Sequence, residues 1–398
     1  MSRRSPQPAR TWGPFAYGFR PFFLLAGLYA VASLAAWLWL YRSGGSPLPA
    51  LPPQYWHGHE VIFGFIGAAI AGFLLTAVPS WTGGRGLGGV PLVILVALWL
   101  AGRVVFALGQ QLPVVLLAVG ELAFVPGLIL AIAPSLLRAG NRNWPMLVLL
   151  AAFWLADVFF IVGMASKDAM MSRTAMLSGL DVVLILITIV GGRIVPAFTG
   201  NALRTGGAQV KLRSNTALER LVLLSMVGIV VCDLFLRDHP VTVAIVACAA
   251  GLHAWRLAGW HGWRTGKQPI VWVLHLAYLW LPLGLGLKAA WLAGGFGWAA
   301  HWLHALGGGA AGMMILAVMT RAALGHTGRP LLAPVSIAIA YGLLALSILV
   351  RVFGPLVLPL GYTVLVLAAG LLWITSFTIY LAVYTPILLR PRVDGKPG

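Results

Sequence analysis

From Phe22 onward the chain is a succession of apolar runs parted by short breaks of Pro, Gly and charge. Each run is about as long as the ~20 residues that carry an α-helix across the hydrocarbon core of a bilayer. Composition agrees, because only 9% of the 398 residues are charged and 60% are hydrophobic, against about 25% charged in a soluble domain. The fold class expected is an all-α polytopic membrane protein.

Twelve spans are expected, near 20–42, 57–80, 90–109, 112–137, 144–164, 173–198, 218–236, 240–257, 270–294, 298–320, 331–352 and 356–386. The longest polar interruption, near 199–217, divides one transmembrane domain six plus six, and 1–19 and 388–398 read as tails. The net charge of +18 is explained by topology rather than by nucleic acid, since the cations sit in the connections. Eighteen Lys and Arg fall in the termini and even-numbered loops, against five in the odd-numbered ones (Arg42, Lys167, Arg173, Arg237 and Arg351). The positive-inside rule then puts both termini in the cytoplasm.

That orientation collects histidines at one membrane face. His57 and His59 open the second span within Trp56-His57-Gly58-His59-Glu60, and His301 and His304 open the tenth, all on the outer side. Ionisable groups at such depth are costly and tend to be functional, and neutral imidazole is a ligand for metals and haem iron. On an ideal helix His57 shares a face with Glu60, while His59 points nearly opposite. The two imidazoles therefore serve different partners unless the helix starts irregularly.

Small residues run below both histidine pairs, at Gly64, Ala68 and Gly72 and at Gly308 and Gly312. Such stripes let a neighbouring helix approach closely or leave room for a flat macrocycle. Met313, Met314 and Met319 read as packing, as do Cys232 and Cys248. Arg103 and Glu121 are placed to pair across a tight turn. Asp157 and Asp181 are candidates for a proton or ion path or for buried hydrogen bonds. Arg193 fits a haem propionate or lipid phosphate. The chain lacks a phosphate-binding G-x-x-x-x-G-K, a dinucleotide glycine fingerprint and a C-x-x-C-H, which leaves nucleotide-driven transport and covalent c-type haem without support.

Five segments together resemble the NnrS family of bacterial membrane proteins. They are Gly18–Phe23; Trp56–Glu60 with Gly72–Pro79 and Trp81-Thr82-Gly83; Gly192-Arg193 with Pro196–Asn201; His275–Tyr278; and His304 with Thr320-Arg321 and Gly325–Arg329. The resemblance implies a twelve-span protein of the bacterial inner membrane that contains haem, non-covalent and of b type, together with copper. It also implies a link to nitric oxide, denitrification and nitrosative stress. His57, His59, His275, His304 and His326 fall on its motif positions and are the expected haem or copper ligands, undivided between the two. His301 does not fall on one. If the protein is a nitric-oxide reductase, two NO, two electrons from an unknown donor and two protons give N2O and water, with Glu60 as proton donor. The alternatives are a sensor or binding protein without turnover, and a secondary transporter of metal, haem or a small solute.

Overall fold

The structure is a computed structural model that describes residues 13–395 except 49–50, 208–211, 213–214 and 238. Six of the eighteen cations counted above for orientation, Arg3, Arg4, Arg10, Lys211, Arg213 and Lys396, lie outside the described residues. The described residues form helices and connections, with no strand.

The long helices are α1 (Phe19–Ser43), α2 (Pro53–Thr82), α3 (Val90–Ala107), α4 (Val114–Arg138), α5 (Pro145–Ala165) and α6 (Ala169–Thr205). They continue with α7 (Thr216–Phe235), α8 (Pro240–Ala258), α9 (Pro269–Gly294), α10 (Gly297–His326), α11 (Val335–Val357) and α12 (Tyr362–Leu389). Eleven of them are long and apolar enough to cross a membrane. The remaining one, α7, is 20 residues long and carries Glu219, Arg220 and Asp233. Two of those charges are cancelled by neighbours, Glu219 by Arg256 and Asp233 by Lys288.

Boundaries follow backbone chemistry. Asp168 and Asn215 cap α6 and α7 by accepting from Met171 N and Ala217 N. Gly44, Gly83 and Gly295 end α1, α2 and α9 in the left-handed conformation that glycine adopts without a Cβ clash. Helix α6 runs through Thr205, so the first part of the expected central loop is helical.

Burial sorts the helices into two shells. The most apolar windows of α2, α9, α10 and α6 are 83, 72, 67 and 61% buried, against 28–44% for the other candidate spans. A helix surrounded by protein must match partners on every face, and these four carry most of the histidines and two of the buried acids, Glu60 and Asp181. Helix α1 packs against both α2 and α12, which joins the beginning of the bundle to its end.

Candidate functional site

The two inner helices that carry more than one histidine, α2 and α10, are irregular at the same relative place. In α2 an α-helical turn, Pro53–His59, passes into a π-helical stretch, Glu60–Ile66. In α10 the π-helical stretch Ala305–Gly312 begins immediately after His304. A π turn bonds i to i+5 and is frequent at functional sites. The second stretch, Ala-Leu-Gly-Gly-Gly-Ala-Ala-Gly, has few side chains to oppose the wider turn. The two stretches touch one another at the centre of the bundle.

A cavity of about 660 Å³ opens between α1, α2, α6, α10, α11 and α12. His57 and His304 both line it. The His57 ring stacks on Trp37, with centroids 4.6 Å apart and planes 16° from parallel, which fixes the imidazole's orientation. Gly307 and Gly308 form part of the floor. A Cβ added at Gly307 would meet nothing within 4 Å, so its open side is free space. Arg173 and Arg351 bring positive charge to a wall that is otherwise largely apolar. Arg351 donates to the Tyr362 hydroxyl at 3.0 Å, and its Nη1 lies 3.2 Å from His301 Nδ1. The outer-loop arginines expected at 173 and 351 therefore belong to helices α6 and α11.

His59 faces elsewhere, into a closed polar cluster. Its Nδ1 lies 2.9 Å from Glu60 Oε1, its Nε2 2.9 Å from Asp157 Oδ1 and 3.9 Å from Glu121 Oε1. Arg103 Nη1 donates to Glu60 Oε1 at 2.6 Å, and Nη2 pairs with Glu121. All five side chains are buried. The His59 ring stacks on Phe106 at 3.9 Å between centroids and touches Phe63 and Phe160, so aromatic rings wall the cluster. Glu60 Oε2 and Glu121 Oε2 are buried without a hydrogen-bond partner. The expected divergence of His57 and His59 is observed. The expected pairing of Glu60 with His57 is not, because the π turn starting at Glu60 shifts the register and turns the carboxylate to His59.

The other expected residues stand apart from both places. His275 Nε2 is 2.7 Å from Thr199 Oγ1, and its Nδ1 is buried without a partner. His326 packs its ring on Phe19, while its carbonyl accepts from Arg392 at 2.7 Å. Arg193 donates to Asn143 Oδ1 at 2.6 Å and does not line the cavity. Asp181 lies against the Asp233–Lys288 pair, away from Asp157. Arg103 and Glu121 pair as expected, and Met313, Met314 and Met319 are buried packing residues.

The stripe on α2 proves to be close packing. A Cβ at Gly64 would come 2.6 Å from both Tyr29 and Arg103, and one at Gly72 would come 2.6 Å from Phe23. On α10, Gly308 borders the cavity while Gly312 abuts Trp373, itself a wall residue. Sequence reading missed the convergence of Glu121 and Asp157 on His59 and the cavity role of Arg173 and Arg351. Charge in an apolar run was the available signal, but charge alone names no partner.

The family model described as NnrS protein matches residues 14–392, nearly the whole chain. No curated protein matches it. The chain belongs to the NnrS family.

Proposed function

We propose that this NnrS-family protein binds a haem in the cavity between α2 and α10, with His57 and His304 as its ligand pair, and acts there on nitric oxide. The observation that carries the reading is that the cavity brings together two imidazoles separated by most of the sequence. The fit has three further supports. The volume, about 660 Å³, lies within the roughly 300–1,000 Å³ of small-molecule and cofactor sites. Gly307 leaves the floor open for a flat ring. Arg173 and Arg351 supply the cations that a pair of propionates needs.

Bound haem would supply an iron that exchanges single electrons and that would take nitric oxide as a ligand once one of the two imidazoles lets go. The chain's own residues do the rest. Trp37 holds the His57 ring, the apolar wall excludes water, and nitric oxide, which partitions into lipid, enters an apolar cavity readily. With both termini in the cytoplasm of a bacterial inner membrane, the cavity sits in the outer half of the bilayer. Reduction to N2O would draw its electrons from a donor outside the chain. Glu60 is the acid proposed to relay protons for that step, although it does not line the cavity and reaches it only through its own helix. Unchanged N2O turnover in E60Q, with haem retained, removes that role.

The copper implied by the family likeness needs donors of its own, since the cavity imidazoles are committed here. Cu(I) asks for thiolate, thioether and imidazole. Among the described residues, the group of His, Cys, Asp and Glu donors that converges is instead His59 with Glu121 and Asp157.

Absorbance of the purified protein tests the proposal. A Soret band that shifts on adding NO is expected in the wild type. It is expected to be lost in H57A and H304A and kept in H275A and H326A. A wild type without haem, or full haem content in both H57A and H304A, overturns the assignment. N2O formation from NO with a reductant separates turnover from sensing.

A further inference from the structure

We infer that the dry cluster around His59 is a second, independent site, built to hold one divalent transition-metal cation on His59, Asp157 and Glu121. The inference does not rest on the cavity reading, because none of these three residues lines the cavity.

Geometry makes the first case. One donor atom from each of His59, Glu121 and Asp157 lies within 4.8 Å of the others, and all three residues are buried. They come from α2, α4 and α5, so three helices converge on one point. His59 is set up as metal-binding histidines are. Such a histidine hands its second ring N–H to a carboxylate, which fixes the tautomer and raises the basicity of the ligating nitrogen. Here Nδ1 lies 2.9 Å from Glu60 Oε1, which leaves Nε2 facing Asp157 and Glu121. The ring cannot turn away, because it is stacked on Phe106.

Charge makes the second. Glu60, Glu121 and Asp157 are three carboxylates facing one guanidinium, Arg103. Two negative charges are left over in a site walled by phenylalanine, and an unpaired buried charge is strongly disfavoured. One dication cancels both. The alternative is two bound protons, which is the competing outcome of the test.

Unused bonding capacity makes the third. Glu121 uses Oε1 on Arg103 while its Oε2 is buried without a partner, and Glu60 Oε2 is likewise orphaned. Buried polar atoms are rarely left unpaired; Glu121 Oε2 lies in the space beside Gly102, and a carboxylate so short of partners has bonding capacity to spare for a cation. The donor set of one imidazole and two carboxylates suits Mn²⁺, Fe²⁺, Zn²⁺ or Cu²⁺ and is too hard for Cu(I). Arg103 and Glu60 then act as positioning residues, holding Glu121 and His59 respectively.

The test is a metal inventory of the full-length protein in detergent, with haem counted separately by its absorbance. The wild type is stripped with EDTA and titrated with Mn²⁺, Fe²⁺, Zn²⁺ and Cu²⁺ singly. About one equivalent of non-haem metal per chain is expected for at least one of them. Binding is expected to be lost in D157N and E121Q. In E60Q it is expected to weaken by roughly 10- to 100-fold, the usual cost of removing a carboxylate behind a metal-bound histidine. All four proteins are expected to elute as the same monodisperse peak in detergent, which reports folding without reference to haem, and any haem present is expected at equal content in all four, which separates this outcome from a failure of the cavity reading. If stripped wild type takes up none of the four cations, or if D157N and E121Q bind as wild type does, the site is overturned and the cluster holds protons.

Discussion

His57 and His59 are two residues apart, yet one stands on an apolar cavity and the other is locked among three acids and an arginine. Their substitutions should therefore fail in different ways. H57A removes a half-buried ring from a cavity wall and strands no charge, so haem content should fall while the unfolding midpoint stays near that of the apo wild type. Arg103 is the opposite case. It is the one cation among Glu60, Glu121 and Asp157, and breaking a buried ion pair from one side costs about 3–5 kcal/mol. R103M is expected to lose that much stability, read as a lowered unfolding midpoint in detergent, whereas the double variant R103M/E121Q should recover part of it. A midpoint for R103M equal to wild type would mean that the guanidinium neutralises nothing. The divergence of the two histidines was legible from the 100° advance per helical residue. The pairing of Glu60 was not, because a π turn begins at that residue. Nor was the convergence on His59, since Glu121 and Asp157 reach it from other helices, Asp157 from 98 residues away.

At the scale of elements, glycines that look alike in sequence divide by what lies opposite them. Gly72 faces the Phe23 ring with no room for a Cβ, so α1 and α2 meet there nearly backbone to side chain. Gly307 faces open cavity. Overpacking a closed contact costs about 1–3 kcal/mol, which is the loss expected for G72A. G307L should change the unfolding midpoint by no more than about 0.5 kcal/mol equivalent, yet lower haem content by occupying the ring's place. Equal behaviour of the two variants, both unstable or both haem-replete, would contradict the division. Seven of the twelve helices were readable to within two residues at each end, because in lipid the length of an apolar run, Pro at helix starts and Gly at helix ends mark the boundaries directly. Two features escaped. Helix α6 continues to Thr205 through a segment polar enough to pass for loop. The π stretches leave no mark in hydropathy, since widening a turn changes hydrogen-bond spacing and not composition.

The whole molecule is four inner helices wrapped by eight outer ones, and both candidate sites adjoin the irregular stretches of two of the inner helices, α2 and α10. Contacts between helices explain how a chain with so few acids buries most of them. Asp233 meets Lys288, and Glu60 and Glu121 share Arg103, each cation coming from another helix, while Asp157 faces His59 and Asp181 lies against the Asp233–Lys288 pair. The outer shell carries most of the exposed apolar surface, as lipid-facing helices require. What lies inside and outside the cell then depends on the cations in the connections. Arg85 lies in the connection after α2 and Arg138 at the end of α4, at the membrane face opposite the mouth of the histidine cavity. On the proposed orientation those connections are cytoplasmic. In a background lacking Cys232 and Cys248, G45C in the exposed connection before α2 should react in intact cells with a membrane-impermeant maleimide. G84C, in the exposed connection after α2, should react only once the membrane is opened. The reverse pattern would place the cavity in the cytoplasmic half of the bilayer, and electrons and protons would then have to be drawn from that side.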